Sequence, residues 1–400
     1  MELTDSTTTL ILAGGAGERL RPLTEHRAKP AVSFGGKYRI IDFVLSNCLH
    51  SRLRRIFALP QYEPVSLEGH LNSWSRIFST EMGEYLQILS PRSQADHALE
   101  PYDGTADAVL QNIKYLIRER PEYVLILAGD QIYKMDYREL IAFHHERKAD
   151  LTIAAAQVDS ESAKRSGVIE AGEKQKVVGF EEKPENPKSS LVSMSVYVFS
   201  FKMLIEELEA DAKDPRSKHD FGKNIIPKML GKRRGIFVFP LIDKETQKPG
   251  YWRDLGTTES YHEASMDLCS VKPEFNLYDE NWFWRTTIRQ LPPAKTVFRS
   301  EVKESIICEG CVIDDAGIYR SILSPEVTVG RGVSISNSII MRGVKIGDGA
   351  RINKAIIDKE NVIPAGSIIE AGAMRYDGEY TVTPSGIVAI GRKEDSLDSD

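Results

Sequence analysis

Three glycines in four positions, Gly14-Gly15-Ala16-Gly17, follow the apolar run 10–13. Arg19 comes next, and Lys29 stands further on in Arg27-Ala28-Lys29-Pro30. Glycine lets the main chain take positive φ and approach a ligand closely. Successive N–H groups can then converge on anionic oxygens as a nest. Arg19 and Lys29 add positive charge from two sides, so the chemistry this pattern suits is polyphosphate binding. Two familiar phosphate loops do not fit. No Gly-Lys is followed by Ser or Thr, and Gly15-Ala16-Gly17 lacks the third glycine of G-x-G-x-x-G. A plain glycine-rich turn between strand and helix is the competing reading.

Other residues suit the same chemistry. Asp130 ends the apolar run 123–129. A carboxylate there can seat Mg²⁺, a hard ion held by one or two carboxylates plus substrate phosphates, or simply cap the next turn. Asp254, in Tyr251-Trp252-Arg253-Asp254-Leu255-Gly256, is a second candidate. Whether the two meet is not legible at this level. Asp103-Gly104-Thr105-Ala106-Asp107-Ala108 opens a helix. Gly104 permits close approach of a base or sugar, and Thr105 equally suits an N-cap. Lys183, in Phe180-Glu181-Glu182-Lys183-Pro184, can hold a sugar phosphate as a point charge or belong to a solvated charge cluster.

Positioning these residues requires strands and helices in alternation. Apolar runs at 9–13, 55–59, 123–128, 151–158, 195–199 and 236–239 read as buried strands, and 39–49, 106–118 and 137–147 read as helices. That order predicts an α/β domain with a largely parallel, doubly wound sheet over 1–271. Such sheets bind ligands beyond the carboxyl ends of their strands, where the glycine loop falls. Residues 272–299, with Trp282, Trp284, Pro292 and Pro293, read as a packed connector. From about 300 to 370, within a domain read over 300–393, aliphatics recur every six residues, as in Ile306, Val312, Ile318 and Val327, Val333, Ile339, with slips at 318–327, 339–346 and 352–357. This hexapeptide period predicts a left-handed parallel β-helix of roughly four coils, each of about 18 residues. Residues 394–400 form an acidic tail.

The 400 residues are 41% hydrophobic and 28% charged, with a net charge of −6. That argues against a general nucleic-acid or anionic-membrane surface. No run approaches the roughly 18 apolar residues of a membrane span, and the polar start is no secretory signal. A cytoplasmic location is expected. Cys48, Cys269, Cys308 and Cys311 read as reduced structural thiols, because Cys308-Glu309-Gly310-Cys311 lacks partner ligands for zinc.

Taken together, these motifs resemble the glucose-1-phosphate adenylyltransferase family of bacterial type over residues 8–393. The resemblance rests on the segment from Gly14 to Leu20, Arg27-Ala28-Lys29-Pro30-Ala31-Val32, Gly35-Gly36-Lys37-Tyr38-Arg39-Ile40-Ile41-Asp42-Phe43 and Leu45-Ser46-Asn47-Cys48. Gly104-Thr105-Ala106-Asp107-Ala108-Val109, His219-Asp220-Phe221-Gly222-Lys223 and Tyr251-Trp252-Arg253-Asp254 extend it. It implies a Rossmann-like nucleotidyltransferase domain joined to a left-handed β-helix. It also implies Mg²⁺-dependent formation of ADP-glucose and pyrophosphate from ATP and α-D-glucose 1-phosphate, control by metabolite effectors, a role in glycogen or starch synthesis, and a homotetramer.

The resemblance further implies residue roles. Gly14, Gly15, Gly17 and Arg19 would hold the ATP phosphates, and Leu12, Ala13, Tyr102, Gly104 and Asp107 would line the rest of the nucleotide pocket. Lys29 would stabilise charge on the reacting phosphates, while Asp130 and Asp254 would hold Mg²⁺. Gly167, Glu182, Lys183, Ser193, Tyr197, Asp220, Phe221 and Trp252 would line the glucose 1-phosphate pocket. Arg27, Arg39 and Arg392 would serve regulatory anions. Several positions depart from the family pattern. His26 stands where many members carry an activator-site lysine, and Ser33 stands where histidine is frequent. Glu63 replaces a lysine or neutral residue, Asp103 replaces Arg or Gln, and Ser195 replaces a glycine. Ser90-Pro91-Arg92-Ser93-Gln94 matches the base-binding segment loosely. The alternatives are a pyrophosphorylase using UTP or dTTP and a non-catalytic regulatory subunit. An acyltransferase, which the β-helix alone suggests, lacks a histidine between 300 and 400.

Overall fold

The computed structural model describes residues 2–91, 102–287 and 290–392. Arg92, Ser93 and Gln94 of the base-binding segment, and the acidic tail, lie outside the described residues. The first strand, Thr7–Ala13, is β-branched and aliphatic and almost wholly buried. That composition suits a strand covered on both faces. It pairs in parallel with Arg55–Pro60 on one side and Tyr123–Ala128 on the other. Tyr85–Ile88 extends the parallel part beyond Arg55–Pro60. Across Tyr123–Ala128 the sheet continues through one long antiparallel strand, Leu191–Ser200. This strand also pairs with Leu151–Gln157, which Ile236–Pro240 flanks in parallel. The hairpin Gly167–Ala171 and Val177–Glu182 joins at Val192. Helices cover the sheet and create two apolar cores, one around Ile11, Leu127 and Trp74 and one around Leu10, Ile126 and Phe199.

Two local readings need correction. The helix expected over 106–118 is two helices, Thr105–Gln111 and Ile113–Glu119. Asn112 separates them: its amide donates to the Ala108 carbonyl (2.9 Å) and the Tyr102 hydroxyl (3.0 Å), side-chain bonds that compete with the helical pattern. The run 195–199 belongs to the ten-residue strand Leu191–Ser200, which bends at a register shift between Ser193 and Val196. Ser195 sits in that bend at φ 52°. The left-handed conformation explains why this position suits glycine.

The C-terminal part is a left-handed parallel β-helix of three sheets, parallel apart from the edge strand Thr381–Val382, which pairs antiparallel with Val388–Ile390. Its first strand, Lys295–Val297, lies inside the stretch read as connector. Lys295, Val312, Thr328, Lys345 and Val362 stack in one sheet. Successive coils are offset by 16 or 17 residues rather than 18, except that a longer excursion precedes the last strand, Val388–Ile390, which pairs with Ala355–Ile357. The shortening occurs between core positions Ile318 and Leu323, Ile335 and Ile340, and Ile352 and Ile357, at tight corners where Arg320, Asn337 and Lys354 are held in the left-handed region. Arg320 and Lys354 fall in the slips at 318–327 and 352–357, whereas Asn337 lies just before the slip at 339–346. Inside, Ile318, Ile335, Ile352 and Ile369 contribute to one continuous core.

The β-helix docks against the first domain through a shared core that includes Leu20, Val32, Phe34, Ile322, Ile339 and Met341. Trp284 of the connecting stretch packs on Phe43 and Phe275, with ring centroids 5.1 and 4.9 Å away. Arg27 pairs with Asp358 at 2.6 Å, and both side chains are buried. The four cysteines are free and buried. Burial pushes the Cys308 thiol up to about 12 and the Cys311 thiol up to about 11. Among the described residues, no helix is long and apolar enough to cross a membrane.

Candidate active site

Parallel pairing of Thr7–Ala13 with Tyr123–Ala128 puts Leu12 opposite Ala128. The glycine loop and Asp130 therefore emerge side by side at the carboxyl end of the sheet. Asp254 arrives from far along the chain. Its strand, Trp252–Asp254, pairs antiparallel with Gln131–Tyr133 and sets Asp254 opposite Gln131. The indole of Trp252 donates to Gln131 Oε1 at 3.0 Å and secures this pairing.

Lys29 closes the cluster. Its Nζ donates to Asp130 Oδ2 at 2.9 Å and Asp254 Oδ1 at 2.5 Å. The lysine is 5% exposed, whereas the two carboxylate side chains are 36% and 40% exposed toward the cleft. Burial acts to lower the Lys29 pKa, and the facing carboxylates outweigh it and hold the ammonium above its ordinary value. Two carboxylates aimed at one point are hard oxygen donors suited to a divalent cation whose other ligands are phosphates and water. Among the described residues there is no group of three or more His, Cys, Asp or Glu side chains placed to hold a metal unaided.

The cleft around this cluster has a volume of about 760 Å³, within the usual range for a small-molecule site. Its lining includes Leu12, Ala13, Gly14, Gly15, Gly17, Arg19, Tyr102 and Gly104. Gly17 has φ 63°, and a Cβ there would lie 3.1 Å from both Lys29 and Thr24. Glycine at 17 thus serves the turn and the close packing of the lysine beneath it. Gly104 abuts the carbonyls of His219 and Lys218, each 2.4 Å from where a Cβ would stand. Gly104→Ala is expected to cost about 1–3 kcal/mol of stability through overpacking against backbone, read as a lowered denaturant midpoint. An unchanged midpoint would contradict this close fit.

The lining also includes Gly167, Glu182, Lys183, Ser193, Tyr197, Asp220, Phe221 and Trp252. Burial raises the Glu182 pKa, with Asp220 adding to it and Lys183 and Lys223 opposing. Lys183 Nζ lies 3.7 Å from Glu182 Oε1, and its side chain is 56% exposed, so the ammonium is free to meet an anion. Burial also pushes the Tyr197 hydroxyl up to about 12, which keeps it a neutral partner for Ser193 Oγ at 3.3 Å. Tyr197 and Phe221 present an aromatic wall, with centroids 5.7 Å apart.

One residue expected in the nucleotide pocket lies elsewhere, and the three expected to serve regulatory anions are not in the cleft. Asp107 does not line the cleft. Gly104, Thr105 and Ala108 take the facing positions of that helix, and the Asp107 carboxylate folds back to accept from Asp103 N (3.1 Å) and Gln111 Nε2 (2.7 Å). Arg27, Arg39 and Arg392 are also outside it. Arg27 is spent on Asp358, Arg39 donates to the Ser66 carbonyl at 2.8 Å, and Arg392 is buried. The cleft also includes Gln61, Gln131, Arg165, Ser166, Gly222 and Gly256, which sequence reasoning did not select. Gly222 and Gly256 had a signal, since each lies two residues beyond a selected Asp. Arg165 and Gln61 had none, because isolated polar residues in connecting segments are common.

Comparison with known proteins agrees with this layout. The nucleotidyl transferase family model matches residues 8–271, and a GlmU-like C-terminal hexapeptide model matches residues 292–390. The chain is 45% identical to a glucose-1-phosphate adenylyltransferase of Rhodopirellula baltica, across 97% of this chain and 90% of that protein. It is 45% identical to that of Thiobacillus denitrificans, across 97% and 91%. It is 43% identical to that of Koribacter versatilis, across 96% and 94%. With a nucleotidyl transferase domain, a hexapeptide domain and identity of this extent along nearly its whole length, the chain belongs to the glucose-1-phosphate adenylyltransferase family.

Proposed function

We propose that this chain transfers the adenylyl group of ATP to α-D-glucose 1-phosphate, yielding ADP-glucose and pyrophosphate. The observation that carries the reading is the Lys29 ammonium held between Asp130 and Asp254 within a single cleft. The glycine loop and Lys183 line that same cleft. ATP binds at the glycine loop, with its phosphates on the backbone N–H groups and Arg19. The sugar phosphate binds beside it, with its phosphate on Lys183 and its hydroxyls facing Glu182, Asp220 and Ser193. Asp130 and Asp254 hold Mg²⁺. When bound, the cation neutralises phosphate charge and lowers the repulsion between the two anionic substrates.

No side-chain nucleophile is needed. A phosphate oxygen of glucose 1-phosphate forms the new bond to the ATP α-phosphorus, and the bond from that phosphorus to the pyrophosphate bridging oxygen breaks in line. Positioning and charge neutralisation carry most of such a reaction. Lys29 contributes a fixed ammonium, which low exposure keeps from being screened by water. The regulatory arginines, a homotetramer, a cytoplasmic location and a role in glucan synthesis belong to the same reading, supported by membership of the family. Arg27 reaches a regulatory anion only if its pairing with Asp358 opens.

Lys183→Ala is expected to raise KM for glucose 1-phosphate far more than KM for ATP. One charged hydrogen bond is worth roughly 1.5–3 kcal/mol, or about ten- to a hundredfold. Equal changes in both KM values would reject its assignment to the sugar phosphate. The reading of ATP as donor is tested by offering ATP, UTP and dTTP with glucose 1-phosphate. ATP is expected to give the highest kcat/KM, and a preference for UTP or dTTP would make the enzyme a different nucleoside diphosphate sugar pyrophosphorylase.

A further inference from the structure

The segment 217–222 touches both proposed substrate pockets and is tied to one buried carboxylate. Asp211, near the end of helix Phe201–Ala212, is 2% exposed. Its Oδ1 accepts from Ser217 Oγ at 2.7 Å and Lys228 Nζ at 2.5 Å, and its Oδ2 accepts from His219 Nδ1 at 2.9 Å. Ser217 Oγ in turn accepts from the His219 N–H at 3.0 Å. Burial acts to raise the Asp211 pKa, and the bonds from Lys228, Ser217 and His219 outweigh it and keep the group ionised.

Held this way, His219 adopts φ 47°, an uncommon conformation for a residue other than glycine. The turn aims its carbonyl at the helix Thr105–Gln111, where it accepts from Ala106 N at 2.8 Å and Asp107 N at 3.4 Å. Those are otherwise orphan donors of a helix start, next to Gly104 of the proposed nucleotide pocket. Asp220 follows immediately. Its Oδ2 accepts from Thr105 Oγ1 at 3.1 Å, and Thr105 Oγ1 accepts from Phe221 N at 3.0 Å. Asp220 and Phe221 line the cleft with Lys183.

We infer that Asp211 is a positioning residue that fixes the geometry of both substrate pockets at once through the 217–222 segment, without touching either substrate. This rests on the assignment of ATP and glucose 1-phosphate to their two pockets in the cleft. Loosening the anchor shifts the His219 carbonyl and the Asp220 side chain together, so binding of both substrates weakens in parallel. Small displacements of positioning groups are costly in a preorganised site.

The test uses the full-length enzyme and three variants. Asp211→Asn keeps the volume and removes the charge. Ser217→Ala removes the bridge from a half-exposed position where the fold has little at stake. Glu207→Gln is the control for stability alone. That carboxylate is one turn earlier on the same helix, is also 2% exposed, and pairs with Lys232 at 2.5 Å and Arg234 at 3.1 Å. Expected results for Asp211→Asn and Ser217→Ala are parallel rises in KM for ATP and glucose 1-phosphate. The rise is about tenfold for Asp211→Asn and smaller for Ser217→Ala, with kcat changed less than about threefold. Glu207→Gln lowers the unfolding midpoint and leaves both KM values at wild type. The proposal is overturned if both anchor variants keep wild-type KM values, if only one KM rises, or if Glu207→Gln raises both as much. Failure of the wild-type enzyme to turn over these substrates would instead sink the reading of the cleft itself.

Discussion

Asp130→Asn is expected to lower kcat about a thousandfold while both KM values move less than about threefold. The carboxylate lines the cleft, 2.9 Å from Lys29 and opposite Asp254. Asparagine matches its size but brings no charge and one poorer oxygen donor for a hard cation. The loss falls where charge is greatest during phosphoryl transfer. An interaction worth several kcal/mol there corresponds to about three powers of ten in rate. Binding is expected to survive because the glycine loop and Lys183 are not touched. A rate within about threefold of wild type in saturating Mg²⁺ would remove Asp130 from the chemistry.

Lys29→Met is expected to slow kcat by about a hundred- to a thousandfold, the usual penalty for losing one preorganised donor. Fold stability should change by less than about 1 kcal/mol. The distinction follows from exposure. Lys29 is almost fully buried, and methionine fills much the same space. Its partners are more than a third exposed, so water takes over their solvation and the lost pair is worth little to stability. Steady-state kinetics beside a denaturant titration check both halves. A large drop in the unfolding midpoint would recast Lys29 as a structural residue, and an unchanged kcat would exclude it from catalysis.

Much of this was legible in the residues because it depends on local pattern. The strand Tyr123–Ala128 and the helix Tyr137–Arg147 fall where the apolar spacing puts them. The hexapeptide period announces the β-helix even though its coils are shorter than three full hexapeptides. What was not legible depends on contacts between distant segments. Asp130 and Asp254 meet only because Gln131–Tyr133 pairs with Trp252–Asp254, and no spacing rule reports a pairing across that distance. The fate of Arg27 was hidden for the same reason, since its partner Asp358 is on the other domain. Asp107 illustrates a different failure. It lies in a motif whose neighbours face the cleft, but a single step around the helix turns its carboxylate to Gln111. Asn112 looked like one more helical residue until its side chain found the Ala108 carbonyl.

The central claim is that one cleft joins ATP to glucose 1-phosphate with release of pyrophosphate. Its most direct test is pyrophosphate formation by the purified enzyme, with both substrates and with each omitted, in the presence and absence of Mg²⁺. The expected result is pyrophosphate and ADP-glucose in equal amounts, only when both substrates and Mg²⁺ are present. Pyrophosphate released without the sugar phosphate, or ADP and inorganic phosphate in its place, would contradict it.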